Sequence, residues 1–69
     1  MSWVITDLVG KAKDVIRPTE ADAVLVLEGM LDQHIHEGYV VRTADDVHTV
    51  STASGDVLHI YRVRPGYDE

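Results

Sequence analysis

Apolar and polar residues alternate along this chain with two different periods. From Val4 to Ile16 the apolar positions are Val4, Ile5, Leu8, Val9, Ala12, Val15 and Ile16. Their three- and four-residue spacing predicts an amphipathic helix over 3–16, with Asp7, Lys11, Lys13 and Asp14 off the stripe. Ser2 is placed as its N-cap, and Gly10 falls on its polar side. Pro18 ends it, because the residue before a proline avoids the helical region. Trp3 lies off the stripe, over the open end of the core or free for a partner.

A second helix is predicted over 20–37. Thr19 can cap it, Asp22 follows three residues later, and Glu20 suits the positive helix end. The stripe is Ala23, Val24, Leu27, Met30, Leu31, His34 and Ile35. Leu25 and Val26 point away from it, which leaves them for helix 1, the sheet or another subunit. The run "AVLVL" also reads as a buried strand, and the capping residues with the helical spacing beyond Gly29 favour the helix.

Beyond residue 39 the period becomes two. "YVVRT", "VHTVST" and "VLHIYRVR" are rich in β-branched and aromatic residues, and "TADD" and "ASGD" carry turn chemistry. These predict a three-stranded antiparallel meander over 39–64 and a loose tail over 65–69. A two-residue turn at Ser54-Gly55 places Val50 opposite His59 and His48 opposite Tyr61. A turn at Ala44-Asp45 places Arg42 opposite Val47 and Val41 opposite His48. One sheet face then carries Tyr39, Val41, His48, Val50, Val57, His59, Tyr61 and Val63. The other carries Val40, Arg42, Val47, Thr49, Leu58, Ile60, Arg62 and Arg64. The expected architecture is α+β, two N-terminal helices packed on one face of the meander (α-α-β-β-β), as a single domain over 1–69.

Composition sharpens the picture at three points. The chain has 69 residues, 45% apolar, with neither cysteine nor phenylalanine. A domain this small buries only ~60% of its unfolded surface, so disulfides, a metal or association commonly assist. Without cysteine, disulfides and thiolate zinc sites are excluded. The formal charge is −6, divided after Gly38 into three bases against seven acids and three against five. Neither half is a basic patch, so phosphate contacts over a broad surface are not expected to drive binding. The N-terminus lacks the basic leader of a signal peptide, and no run reaches the ~20 apolar residues of a membrane span. A cytoplasmic protein without membrane contact is expected.

The candidate chemistry is sparse. His34 and His36 point about 200° apart on a helix and cannot share one ion. With Gly38 in the C′ position, "HIHEG" reads as helix termination. His48 and His59 are diagonal neighbours on one face, and His34 could approach them, which makes His34, His48 and His59 the weak candidates for a metal site. Ser51, Thr52 and Ser54 lie at a tight turn without a pocket, and Asp45-Asp46 reads as a solvated turn pair. Phosphate-loop, zinc-protease and dinucleotide-binding motifs are absent. No enzyme activity and no cofactor are expected.

From Met30 to Arg64, a helix followed by "EGYVVR" and a returning "YRVR" strand resembles the wing region of winged-helix DNA-binding domains. That resemblance implies a nucleic-acid-binding regulator using the hairpin as a wing. Against it stand Glu28, Asp32 and Glu37 on the helix that would enter the groove, which carries neither lysine nor arginine.

Two helices can cover only one face of such a sheet, so aliphatic surface is left over. Such surplus points to a protein partner or to a second copy. The expected role is that of a small, non-catalytic, regulatory binding protein of the accessory or phage-encoded kind, self-associating through a homodimer. The expected contact residues are Trp3, Leu25, Val26, Arg42, Leu58, Ile60 and Arg62.

Overall fold

Residues 3–17 form a hairpin. A computed structural model describes residues 2–66. The order is β1 (Trp3–Asp7), β2 (Val15–Arg17), α1 (Glu20–His36), β3 (Val40–Ala44), β4 (Val47–Ser51) and β5 (Val57–Pro65). All pairings are antiparallel, in one five-stranded sheet of order β2-β1-β5-β4-β3. This corrects the expected α-α-β-β-β architecture: the described residues hold one helix and five strands, and 3–16 is not helical. Residues 67–69 of the expected loose tail lie outside the described residues, and Pro65 belongs to β5.

The reason lies in a strand-forming run and in the two residues, Asp7 and Gly10, that turn the chain after it. Trp3, Val4, Ile5 and Thr6 are aromatic or β-branched and suit a pleated surface. Asp7 then ends the strand. Its carboxylate accepts from the backbone N–H groups of Val9, Lys11 and Ala12 at 3.0–3.1 Å, an alternative to the helical ladder that short polar side chains offer. Gly10 has φ +87, a value no helix interior uses. Leu8 and Val9, assigned to the apolar stripe, stand exposed at the turn.

The second helix forms where its caps place it. Asp22 N–H donates to Thr19 Oγ1 at 3.1 Å. At the far end Gly38 N–H donates to Ile35 O and Tyr39 N–H to His34 O, with Gly38 at φ +96. That is the Schellman closure expected of a C′ glycine. "AVLVL" is therefore helical. With 17 residues, α1 is about 25 Å long, enough to cross five strands, which span about 19 Å. It does so, leaving edge strand β2 and delivering the chain to the opposite edge, β3.

The core lies between α1 and one sheet face. Ala23, Leu27 and Leu31 of the helix meet Ile5, Val50 and Tyr61, with Trp3, Val15, Val26, Met30, Val41 and Val63 packed around them. The meander registers closely to expectation at β4–β5, where Val50 pairs with His59 and His48 with Tyr61. At β3–β4 the turn is Asp45-Asp46, both with positive φ. Val41 thus faces Val50, and Arg42 faces Thr49 instead of Val47. The shift moves each partner by two, so every side chain keeps its face. A bulge makes Leu58 an extra residue on β5 and sets Val57 opposite Ser51, on the face opposite to the one expected.

Candidate functional site

The helix leaves the second sheet face uncovered. The register places Val4, Thr6, Ile16, Val40, Arg42, Val47, Thr49, Ser51, Ile60, Arg62 and Arg64 on it. Ile16, Val40 and Val57 are exposed, and Ile60 and Leu58 are half-buried. The face carries three of the chain's four arginines and, among the described residues, no carboxylate. Arg64 Nε donates to Thr6 Oγ1 at 3.1 Å, which pins its stem along the sheet. Arg42 and Arg62 are exposed and make no hydrogen bond or ion pair among the described residues.

A hollow of about 340 Å³ opens at one end of this face, between Val40, Arg42, Thr49, Ser51 and Val57. A second, of about 290 Å³, lies on the other side of the molecule, between α1 and β4–β5. Its floor is Val24, Leu27, Leu31 and Val63, and its rim is Glu20, Glu28, Asp46 and His48. The charges of the fold are therefore separated. Glu20, Asp22, Glu28 and Asp32 belong to the helix layer, and Arg42, Arg62 and Arg64 to the bare sheet.

A polar cluster joins the last turn of α1 to the sheet. Asp7 is only 5% exposed. Besides its three turn amides it accepts from Ile60 N–H at 3.1 Å and from His59 Nδ1 at 2.8 Å. An ionised carboxylate only accepts, so Nδ1 carries the proton of the His59 ring. Burial by itself pushes the Asp7 carboxyl up. The hydrogen bonds from His59 and from the amides of Ile60, Val9 and Ala12 outweigh it and hold the group well below the usual carboxylate range. His59 stacks on Tyr61, centroids 5.2 Å apart, and lies 5.3 Å from His34. His34 Nε2 is 3.3 Å from the Tyr61 hydroxyl. His34 Nδ1 is buried without a hydrogen bond, 3.7 Å from Glu37 Oε1. Burial, and then the Asp7 charge, raise the Tyr61 phenol above its ordinary value. An oriented imidazole beside a carboxylate is the geometry of a general base. Here, though, neither hollow is lined by Asp7, His34, His59 or Tyr61.

Of the three candidate ligands, the fold brings His34 and His59 together. It sends His48 to Thr43, whose Oγ1 lies 2.8 Å from His48 Nδ1. Among the described residues no group of three or more His, Cys, Asp or Glu is arranged to hold a metal ion. The expected contact residues divide by position. Arg42, Ile60 and Arg62 share the open face, and Leu58 sits at the bulge beside them. Leu25 is 68% exposed on the outer side of the helix. Trp3 and Val26 pack against the core. Asp7, the best-connected polar side chain among the described residues, falls off the apolar stripe of the helix that the spacing predicts over 3–16. The sequence signal that marks it is a β-branched run followed by Asp and then Gly three residues on, which is turn chemistry. No helix of the described residues is long and apolar enough to cross a membrane. Comparison with protein-family models, with curated proteins and with solved structures finds no match to this chain.

Proposed function

We propose that the chain is a small, non-catalytic binding protein of the cytoplasm, regulatory in role, which acts by laying its open sheet face against another protein. One observation carries this reading. The face opposite α1 combines Ile16, Val40, Val57 and Ile60 with Arg42 and Arg62, and no helix or strand of the described chain packs over it, with Val4 at its β1 end the buried exception. Aliphatic surface interleaved with arginine is the composition of interface cores, where guanidinium groups are retained and lysine is depleted. Nothing comparable favours catalysis. Asp7 spends its carboxylate on five donors, and the His59 ring it orients faces neither hollow.

The winged-helix reading is weakened by the fold itself. The segment upstream of α1 is a hairpin, and α1 is pressed onto the sheet through Ala23, Leu27 and Leu31 instead of standing free to enter a groove.

The test is a pair of substitutions on opposite sides of the molecule. A partner captured by the wild-type chain should be lost with Ile60→Asp and kept with Leu25→Asp. Loss with Leu25→Asp alone would move the interface to the helix. Light scattering with and without duplex DNA completes the test. A mass that rises with DNA would replace the protein-binding reading by the nucleic-acid one. A dimer abolished by Ile60→Asp would make the partner a second copy.

A further inference from the structure

We infer that the open face reads carboxylates: its partner presents an amphipathic segment in which Asp or Glu side chains flank aliphatic ones. This inference rests on the docking role proposed above and adds the chemistry of the partner.

The argument begins with what the face offers. Arg42 and Arg62 have every guanidinium donor unused among the described residues, and the register puts no acid on their side of the sheet. Beside Arg42, the hydroxyls of Thr49 and Ser51 make no hydrogen bond within the described chain, and all three side chains line one hollow with Val40 and Val57. A guanidinium flanked by two unengaged hydroxyls, bordered by two valines, fits a planar carboxylate carried on a short apolar stem. Thr52, also at that hollow, is unlike them: its Oγ1 already accepts from Asp56 N–H and lies 2.9 Å from Ser54 Oγ.

Spacing supplies the second constraint. Arg62 is on β5 and Arg42 on β3, with β4 between them. Two strand steps separate them by roughly 10 Å across the sheet, and Arg42 stands in the row of Thr49 and Ile60, two residues along β5 from Arg62, which makes the diagonal roughly 12 Å. Residues seven apart on a helix rise by about 10.5 Å along one side, so carboxylates at i and i+7, with the reach of both side chains, meet the two arginines while the aliphatics between them lie over β4 between Val47 and Thr49, beside Ile60.

Charge also decides between occupants. A second copy packed sheet to sheet would bring the Arg42, Arg62 and Arg64 of both copies into one interface, with no carboxylate among the described residues of either face to neutralise them. Single-stranded nucleic acid binds to such faces by stacking on aromatic side chains. Trp3, Tyr39 and Tyr61 pack on the helix side instead, and among the described residues no aromatic lies on this one.

The experiment uses the full chain, labelled with nitrogen-15, and two synthetic helical peptides. Both carry leucines on one stripe. One has glutamates at i and i+7 beside that stripe, and the other has glutamines there. The Glu peptide should shift the amides of β3, β4 and β5 and the Arg42 and Arg62 Nε–H signals. It should bind at least roughly tenfold more tightly than the Gln peptide, the worth of one charge-assisted hydrogen bond. Arg42→Gln and Arg62→Gln should each erase most of that difference while leaving the rest of the spectrum in place. Equal binding of the two peptides on this face would overturn the inference and leave the docking role standing. If neither peptide perturbs the face, both fall. A thymidine oligonucleotide that shifts the same residues at lower concentration than the Glu peptide would overturn the inference in favour of nucleic acid.

Discussion

Asp7 holds three parts of the chain with one carboxylate: its own turn, the backbone of β5 at Ile60, and the ring of His59. A buried carboxylate is costly unless it is fully bonded, and here it is. Removing it strands several backbone donors. Asp7→Ala should therefore cost roughly 2–4 kcal/mol, read by urea denaturation. The acid dependence follows from the sign of the shift. The folded value of Asp7 lies below its value in the unfolded chain, so its contribution is complete above about pH 4 and is lost as pH falls toward the folded value. Wild type should lose stability below pH 4 more steeply than Asp7→Asn, which has no carboxyl to titrate. Parallel curves would show that the group is not held as the geometry implies.

Among the elements, the β3–β4 turn is the least comfortable. Asp45 and Asp46 both adopt left-handed backbone, φ 49 and 63. Two-residue hairpins of this kind favour Asn-Gly or Asp-Gly, because a Cβ in that conformation meets the following carbonyl. Asp46→Gly should stabilise the chain by up to about 1 kcal/mol in thermal melts, and Asp46→Val should destabilise it. An unchanged melting temperature in both would refute the turn geometry. The helix is better matched to its sequence, since Thr19 and Gly38 close its two ends with the hydrogen bonds their positions foretell. Its inner stripe, however, is Ala23, Val26, Leu27, Met30 and Leu31, whereas Val24 and Ile35 from the expected stripe are exposed. The buried stripe is rotated from the expected one, taking in Val26 and releasing Val24 and Ile35, because this helix is apolar nearly all round its first half and its packing on the sheet selects the side that goes inside.

For the molecule as a whole, one helix on a five-stranded sheet yields two unequal faces. The inner face is the core, where Ile5 and Val50 are essentially inaccessible. Ile5→Ala should cost about 2–5 kcal/mol. Ile60, half-buried on the open face, packs against no second layer, so Ile60→Asp should cost under about 1.5 kcal/mol while abolishing partner capture. If Ile60→Asp unfolds the isolated chain, the outer face is part of the core and the proposed interface fails. The separation of acids on the helix layer from arginines on the bare sheet also orients the molecule toward a partner of opposite sign.

Local chemistry determined much of this on its own. The caps of α1, the meander, the pairing of His48 with Tyr61 and of Val50 with His59, and the sorting of Arg42, Ile60 and Arg62 onto one face all follow from spacing of one to four residues and from the two-residue pleat. The β3 register slipped without harm because a shift by two preserves the face. What the sequence could not decide was the fate of residues 3–17. There a helical period, a β-rich composition and a turn-forming Asp coincide, and the winner is set by a donor 53 positions away, Ile60 N–H on Asp7 Oδ1, and by β5 offering β1 a ladder. Val57 changed sides for the same kind of reason, since the bulge at Leu58 appears only when β4 and β5 are paired. Contacts so distant along the chain exist only in the folded molecule, and they turned an expected first helix into the hairpin at the sheet's edge.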